Sequence, residues 1–436
     1  MKERSNRGLE GEVVVMAFHP RERFPWNRSL NRREMLRLGA GTALASTVLA
    51  ACGGGDDTTG GGGGGIVIGT PDNPVKQPIS DDNPPIESNL EPEPGPLQIY
   101  NWDAYLWVRV LNDFAEEFNV DYELTTFFNL EEGIRKLRTG EVKFDIFFPT
   151  AENIPKLVAG KLLQPLNRDY LPNLPKTIWP RLVDPYYDVG SRYTVPYVIY
   201  ETGIGWRDDI MKVDIESMDN PWEVFWLPEN KDITGLYDDY RETIGVGFYK
   251  NGDMAINSGD PAKVEAAQNS LIELVDLVNV RYTIDGAYSG LPEGKFGLHH
   301  AWSGDMVGAP FYAPKDQDPT QLRYLWPPHG GFNGGYVSND SMGIPTNAAN
   351  PVLAHMFLNY MLDDKVSKKN FGWLGYQPPL NSLDPDTLVK DGWVPEYLSS
   401  AVVKEEDFGL GQAPIQLTPE ADRAWLEAWS RVKAGG

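Results

Sequence analysis

The chain has 436 residues, with 39 Lys+Arg against 62 Asp+Glu and a formal net charge of -23 at pH 7. This length exceeds what one hydrophobic core usually organises, so two domains, or one domain of two lobes, are expected. The acid excess argues against a large nucleic-acid surface, because phosphate binding needs a concentrated cationic face. A single cysteine excludes an intramolecular disulfide framework and a cysteine-based zinc site.

The first 52 residues have the architecture of an export signal. Arg32 and Arg33 precede an apolar stretch of about 14 residues, 38–51, which ends in Leu-Ala-Ala before Cys52. The stretch is shorter than the ~20 residues of a membrane-spanning helix. The arginine pair resembles a twin-arginine export signal, and Leu-Ala-Ala-Cys resembles a bacterial lipobox in which Cys52 carries the lipid. An ordinary signal peptide that contains a cysteine is the alternative, and Met16 is an alternative start.

A segment of biased composition follows the cysteine. Residues 53–65 hold nine glycines, and residues 71–96 hold eight prolines. Glycine-rich chains are flexible and proline-rich chains are extended, so residues 53–96 are predicted to be a disordered tether, with the folded part beginning near Leu97. Without residues 1–52 the chain carries 30 Lys+Arg and 57 Asp+Glu, a net charge of about -27.

From Leu97 onward, short apolar runs alternate with amphipathic stretches. Asn129 and Glu132 have the spacing of a capping box, and Gly140 is placed to end the helix that they begin. This rhythm predicts a mostly parallel sheet with helices on both faces, which binds ligands beyond the carboxyl ends of its strands. The predicted elements are strands at 97–101, 120–127 and 144–148 and helices at 105–118 and 130–137.

The second half has the same style without repeating the sequence. Apolar residues at helical spacing predict helices at 261–278, 352–362 and 421–432. No internal repeat with a period of 20 to 50 residues is present, which argues against a solenoid or a propeller.

Five short stretches, in order along the chain, carry a resemblance to a known family. They are residues 100–105 (YNWDAY), 148–150 (FPT), 237–242 (YDDYRE), 340–345 (DSMGIP) and 375–379 (GYQPP). Residues 97–435 therefore resemble the bacterial spermidine/putrescine-binding proteins, the substrate-binding receptors of polyamine ABC importers. The match covers nearly all of the chain after the tether.

The resemblance implies an α/β protein with the type II periplasmic-binding-protein fold, two lobes joined by crossing hinge segments. Lobe one would hold residues 97–199 and 341–384, and lobe two residues 200–340 and 385–436. The implied function is capture of spermidine or putrescine between the lobes and delivery to a membrane permease, without catalysis or a cofactor. The protein would be a monomeric, membrane-anchored lipoprotein on the periplasmic or extracellular face.

A polyamine is a flexible chain of ammonium groups, so its site needs spaced carboxylates with apolar walls between them. Each charge-assisted hydrogen bond contributes about 1.5–3 kcal/mol, and each aromatic face about 0.5–2 kcal/mol. The family motif carries these roles onto particular residues of this chain. The implied polyamine-binding residues are Trp102, Asp103, Tyr105, Thr150, Glu152, Asp239, Glu242, Trp302, Asp340, Tyr376 and Gln416.

Several positions depart from the family pattern. Asp103 stands where the family has Ser or Thr, and Glu152 falls where some members have Tyr. The aromatic residue usually found two positions before Asp340 is Ser338 here, and Tyr336 or Phe332 is the candidate replacement. These changes add carboxylates and remove one aromatic side chain, so the site is still expected to bind amines.

Each proposed site residue also has a purely structural interpretation. Asp239 and Glu242 could be solvated acids on a helix surface, and Asp340 could be a turn residue or a helix N-cap. Trp102 and Tyr376 could be ordinary core aromatics.

The sequence also raises the alternatives of a metal site, a different ligand and an enzyme. His299, His300 and Asp305 are candidate metal ligands. They do not form an i, i+4 pair of ligands on a clear helix, so no metal site is expected here. The same fold could bind a sugar or another organic cation instead of a polyamine. A glycoside hydrolase with paired carboxylates is the third alternative.

Overall fold

The computed structural model describes residues 65–140 and 142–435. The predicted export signal and the predicted lipid-attachment residue Cys52 therefore lie outside the described residues, as does the predicted tether up to residue 64. The strands are β1 (Leu97–Trp102), β2 (Tyr122–Phe127), β3 (Ile146–Phe147), β4 (Thr194–Arg207), β5 (Thr234–Leu236), β6 (Arg281–Tyr282), β7 (Leu298–Trp302), β8 (Leu322–Leu325) and β9 (Tyr336–Gly343).

The helices include the stretches that the sequence predicts. They are α1 (Val108–Phe118), α2 (Leu130–Thr139), α3 (Ile154–Ala159), α4 (Leu174–Thr177), α5 (Pro180–Val183), α6 (Tyr240–Lys250), α7 (Pro261–Val278), α8 (Ser303–Gly308), α9 (Pro351–Met361), α10 (Asp364–Leu374) and α11 (Pro419–Ala434). No helix in the described ranges is long and apolar enough to cross a membrane.

Strands β1 to β9 form one sheet in the order β2-β1-β3-β9-β4-β7-β5-β6, with β8 beside β4. Strands β1, β2 and β3 pair in parallel, and so do β5, β6 and β7. Between these groups the long strands β4 and β9 run antiparallel. The sheet is therefore mixed, and the prediction of a mostly parallel sheet is wrong, because two crossing strands join the parallel groups.

Strand β4 is buried along all 14 of its residues. It pairs with β9 through Thr194–Thr202 and with β7 and β8 through its second half. Its residues therefore connect the two parallel groups, and the predicted division into lobes would fall within it.

Apolar side chains pack into clusters on either side of this connection. One cluster surrounds Trp222 and Trp425 with α6, α7 and α11. A second surrounds Tyr100 and Phe147 beneath α2 and α3. A larger cluster runs from Ile99 across β4 to segment 383–403. The boundaries of the two lobes stay a prediction.

Local sequence signals explain the helix ends. The Asn129 side chain accepts a hydrogen bond from the Glu132 backbone N–H at 3.2 Å, and Gly140 ends α2 in the left-handed conformation at φ 63°. Helix α7 has the predicted bounds. Helix α1 begins three residues later than predicted because Ala104, at φ 51°, turns the chain after β1.

The segment before β1 is ordered, so the prediction of a disordered tether is wrong for residues 65–96. The Gln77 side chain, 1% exposed, donates to the backbone oxygens of Val67 at 3.0 Å and Tyr187 at 2.8 Å. Asn83 is also buried and donates to Leu163 O at 2.9 Å. The proline-rich segment contains turns at residues 71–72, 81–82 and 88–89, and it lies along the folded chain.

Candidate functional site

A cavity with about 1000 Å³ of empty space, part of it open to solvent, lies beside β4 and β9, between the two parallel groups of strands. Its walls come from the end of β1, the turn after β3, the start of α6, the end of β7 and the middle of β9. Of the predicted site residues, those brought together here are Trp102, Asp103, Tyr105, Thr150, Glu152, Asp239, Glu242, Trp302, Asp340 and Tyr376.

Gln416 is the predicted site residue that does not line the cavity. It is 7% exposed and donates through Nε2 to Leu417 O at 2.9 Å. Pro414 is the nearby residue in the wall. The match to the family contains a gap in this region, and this explains why the resemblance assigned Gln416 to the site.

Two acids stand at the start of α6. The Asp239 carboxylate caps the helix by accepting from Arg241 N at 2.9 Å and Glu242 N at 3.0 Å. Burial, and then the neighbouring Glu242 charge, raise the pKa of Asp239 to about 6. Glu242 is 9% exposed, so its interpretation as a solvated surface acid is wrong, whereas Asp239 is half-buried and caps the helix.

The Glu242 carboxylate is held by polar groups around one of its oxygens. Oε1 accepts from Trp302 Nε1 at 2.8 Å and from Thr202 Oγ1 at 3.2 Å. Burial raises the pKa of Glu242 to about 7 despite these donors. His300 Nε2 lies 3.4 Å from Oε2, but burial lowers the pKa of His300 to about 3, so the neutral ring supplies no countercharge.

Asp340 lies inside β9, which rules out the N-cap and turn interpretations. Its Oδ2 accepts a hydrogen bond from the Tyr105 hydroxyl at 2.7 Å. Oδ1 is buried and has no hydrogen-bond partner among the described residues. Burial raises the pKa of Asp340 to about 8. Such a carboxylate is stabilised by a cation that enters the cavity.

Glu152 adds a further acid beside the end of β3. The Thr150 hydroxyl donates to its Oε1 at 2.6 Å, and Asn153 Nδ2 donates to the same atom at 3.0 Å. Burial raises the pKa of Glu152. Thr150 also forms a backbone bridge with Asp340, which fixes the two segments side by side.

Asp305, which the sequence analysis considered only as a metal ligand, also lines the cavity. It accepts hydrogen bonds from the hydroxyls of Tyr237 and Tyr376, each at 2.8 Å. Burial raises its pKa to about 7. The hydrogen-bond donors to Asp305 are these tyrosines and not the histidines that precede it. Both tyrosines lie far from Asp305 in the sequence, so no local pattern predicts its place in the cavity.

Aromatic rings form the walls between these acids. Trp302 stacks on Tyr237 with ring centroids 3.8 Å apart, and Tyr105 meets Tyr376 edge to face at 5.0 Å. Tyr336 lines the cavity, whereas Phe332 packs in the cluster around Trp222. The rings in the wall that the sequence analysis missed are Phe127, Phe128, Tyr200, Tyr288 and Tyr312.

The cavity wall is strongly acidic. Asp103, Glu152, Asp239, Glu242, Asp305 and Asp340 line it, with Arg241 as the basic residue among the lining positions. The Arg241 guanidinium donates to Ile415 O at 3.0 Å and Asn257 Oδ1 at 2.7 Å. Burial raises the pKa of Glu152 and Glu242, and the Arg241 charge offsets only a part of that rise. The arrangement suits a ligand with several positive charges and apolar parts between them.

Comparisons with known proteins agree with this geometry. The model of the bacterial extracellular solute-binding protein family matches residues 109–394. The spermidine/putrescine-binding periplasmic protein of Salmonella typhimurium is 27% identical over 327 residues, 71% of this chain and 89% of that protein. The putrescine/cadaverine-binding protein of Pseudomonas aeruginosa is 25% identical over 77% of this chain and 93% of that protein.

Among solved structures, a putative spermidine/putrescine ABC transporter from Listeria monocytogenes superposes with a TM-score of 0.67. It is 25% identical, and the match covers 77% of this chain and 98% of the other. The mixed sheet and its flanking helices are the periplasmic-binding-protein fold.

Proposed function

The chain belongs to the bacterial extracellular solute-binding proteins, and from that premise we propose that it captures a polyamine, spermidine or putrescine, for an ABC permease. The observation that carries the proposal is the set of buried carboxyl groups between aromatic walls. Glu242, Asp305 and Asp340 each have a pKa raised by burial to about 7 or 8, so each gains stabilisation from a bound ammonium group.

Each part of a polyamine has a counterpart in the proposed site. Asp239 and Glu242 would hold one end of the ligand, and Asp340 would meet a second amine. The faces of Trp102, Trp302 and Tyr376 would cover the methylene groups. Three charge-assisted hydrogen bonds and three rings contribute about 6–15 kcal/mol before ordering costs, and the upper part of this range leaves the roughly 8 kcal/mol net that micromolar affinity requires.

Contacts between the proposed lobes would hold them closed over the ligand. Lys156 Nζ in α3 lies 3.6 Å from Asp422 Oδ2 in α11, which joins the proposed lobe one to lobe two. The Tyr240 hydroxyl donates to the other Asp422 oxygen at 2.6 Å and fixes that carboxylate. The Tyr186 hydroxyl donates across the same boundary to Pro414 O at 3.1 Å.

Lipid attachment at Cys52 would hold the protein at the membrane, where the permease lies. The support is the sequence Leu-Ala-Ala-Cys after an apolar stretch and an arginine pair. Metabolic labelling with a radioactive fatty acid tests this part: Cys52→Ala should lose the label, and an equal label in both proteins would contradict it.

Native mass spectrometry of the freshly purified protein tests the proposed ligand. We expect a bound mass equal to that of putrescine or spermidine, released on mild activation. A bound hexose would favour the alternative in which the same fold carries a sugar. Turnover of a chromogenic glycoside by the protein, abolished by Glu242→Gln, would instead support a hydrolase.

A further inference from the structure

A second group of ligating side chains lies outside the cavity. Glu201 of β4, His329 of segment Pro327–Gly330 and Asp407 of segment Glu405–Gly409 each offer one atom, and these atoms lie within 4.8 Å of one another. We propose that these three residues bind a divalent transition-metal ion, with Zn²⁺ as the best-fitting ion.

This group is separate from the polyamine cavity. Tyr200 lines the cavity, and Thr202 donates to Glu242 within it. Successive side chains of a strand point to opposite faces, so Glu201, which lies between them, points to the other face of β4. The two sites can therefore be tested independently.

The buried carboxylate of Glu201 is the feature that indicates a bound cation. Its side chain is 0% exposed, and no donor group within residues 65–140 and 142–435 hydrogen-bonds to Oε1 or Oε2. The polar side chain within hydrogen-bonding reach is the Asp407 carboxyl, another acid, so the pair needs a cation or a shared proton between its oxygens. A carboxylate removed from water without a partner is strongly destabilising, which is why buried charges are paired or coordinate metals. A cation between Glu201 and its neighbours satisfies these oxygens.

The Asp407 and His329 side chains place their ligating atoms close to the Glu201 carboxylate. Asp407 is 1% exposed, and its Oδ2 accepts from Lys404 N at 2.6 Å, which leaves Oδ1 for another partner. His329 Nε2 lies 2.8 Å from that Oδ1. In tetrahedral zinc coordination these two atoms would separate to about 3.3 Å, a movement that the partly exposed His329 ring can make.

The basic side chains nearby are engaged elsewhere. The Lys404 ammonium pairs with Asp386 at 2.6 Å. Arg181 donates to the backbone oxygens of Glu405 and Phe408 rather than to a carboxylate. In the described part of the chain, no lysine or arginine forms a salt bridge with Glu201 or Asp407.

The donor set selects the class of metal. One imidazole nitrogen with two carboxylate oxygens suits Zn²⁺ and its neighbours in the first transition series, whereas Ca²⁺ and Mg²⁺ prefer oxygen donors alone. The His329 side chain is 33% exposed, so an ion can enter from solvent and water can supply a fourth ligand. Binding would fasten segment Glu405–Gly409 to β4, which joins the two parallel groups of strands.

The test uses the full chain, purified without a histidine tag, stripped with a chelator and dialysed against micromolar Zn²⁺, Ca²⁺ or Mg²⁺. Bound metal is counted by mass spectrometry, and the unfolding temperature is recorded with and without each ion. We expect one Zn²⁺ per chain with a higher Tm, and no comparable effect of Ca²⁺ or Mg²⁺. His329→Ala, at a partly exposed position, should weaken Zn²⁺ binding at least about tenfold.

Glu405→Gln is the matched control, because Glu405 is an exposed acid in the segment that holds Asp407. It should keep full Zn²⁺ binding, and His329→Ala should keep its affinity for spermidine. No Zn²⁺ retained at micromolar concentration would overturn the proposal and leave a proton shared between the two carboxyl groups as the explanation. Equal Zn²⁺ retention by wild type and His329→Ala would overturn it as well.

Discussion

The Tyr105 hydroxyl donates a hydrogen bond of 2.7 Å to Asp340 Oδ2, while Asp340 Oδ1 stays buried without a partner among the described residues. Tyr105 follows β1 and Asp340 lies inside β9, so the bond joins two distant segments at the cavity wall. It fixes the carboxylate but leaves half of its hydrogen-bonding capacity for a ligand. This pairing carries the first prediction.

Asp340→Asn removes the charge and keeps an oxygen that can accept from Tyr105. Affinity for spermidine should fall about 10- to 100-fold, because a charge-assisted hydrogen bond is lost. Calorimetry on the variant and on Asp391→Asn, an exposed acid far along the chain, measures the difference. A change below about threefold in Asp340→Asn would show that this carboxylate does not meet an amine.

Trp302 has two separable roles, because its ring lines the cavity and its Nε1 donates to Glu242 at 2.8 Å. Trp302→Phe should keep most of the ring contribution and lose the donor, whereas Trp302→Ala should lose both. The alanine variant should bind spermidine about 2- to 30-fold more weakly than the wild type, the range expected for one cation–π contact.

The tryptophan comparison needs a control in the same protein. Trp429 is partly buried and packs against the cluster around Trp222, away from the cavity. Trp429→Phe should leave polyamine affinity unchanged. If Trp302→Ala binds as well as this control, the ring does not contact the ligand.

Binding should release protons near neutral pH. In the ligand-free protein, burial raises the pKa of Asp239 to about 6, of Glu242 and Asp305 to about 7 and of Asp340 to about 8. An ammonium group favours the ionised form, so binding lowers these pKa values and expels protons. Affinity should therefore rise with pH between about 6 and 8.

Calorimetry at pH 7 in buffers of different ionisation enthalpy measures this release. We expect a net release of protons, smaller in Asp340→Asn than in the wild type. Proton uptake, or an affinity that falls as the pH rises from 6 to 8, would contradict the proposed role of these carboxyl groups.

The Lys156–Asp422 contact should stabilise the closed arrangement of the proposed lobes. Surface ion pairs contribute about 0.2–1 kcal/mol, so Lys156→Ala should speed ligand release by up to about fivefold. Stopped-flow displacement measures the rate. Lys161→Ala breaks a pair with Asp82, which lies in the segment before β1 and not in the proposed lobe two, so it should leave release unchanged. Equal release rates in both variants would argue that the Lys156–Asp422 contact does not stabilise the closed arrangement.

The sequence predicts elements whose signals are local. The cap at Asn129, the helix end at Gly140 and the whole of α7 depend on residues within a few positions of one another, and they occur as expected. The course of β4 was missed, because its residues are set by pairing with β7, β8 and β9, which lie more than 90 positions away.

The residues of the site also fall into those that the sequence predicts and those that it does not. The predicted site residues within the five family stretches, such as Trp102 and Asp239, all reach the cavity wall. Asp305 and Tyr200 were missed because tertiary contacts bring them there. Residues 65–96 were predicted to be disordered from composition, yet buried bonds of Gln77 and Asn83 hold them in place. Composition does not report a groove elsewhere in the chain that accepts such a segment.

Titration calorimetry of the purified chain with a polyamine panel tests the central claim most directly. Putrescine and spermidine should bind one to one, at least one of them with micromolar affinity, and a triple change of Asp239→Asn, Glu242→Gln and Asp340→Asn should abolish the heat. No heat from any di-, tri- or tetra-amine at millimolar concentration, or binding of a sugar that survives the triple change, would contradict the account.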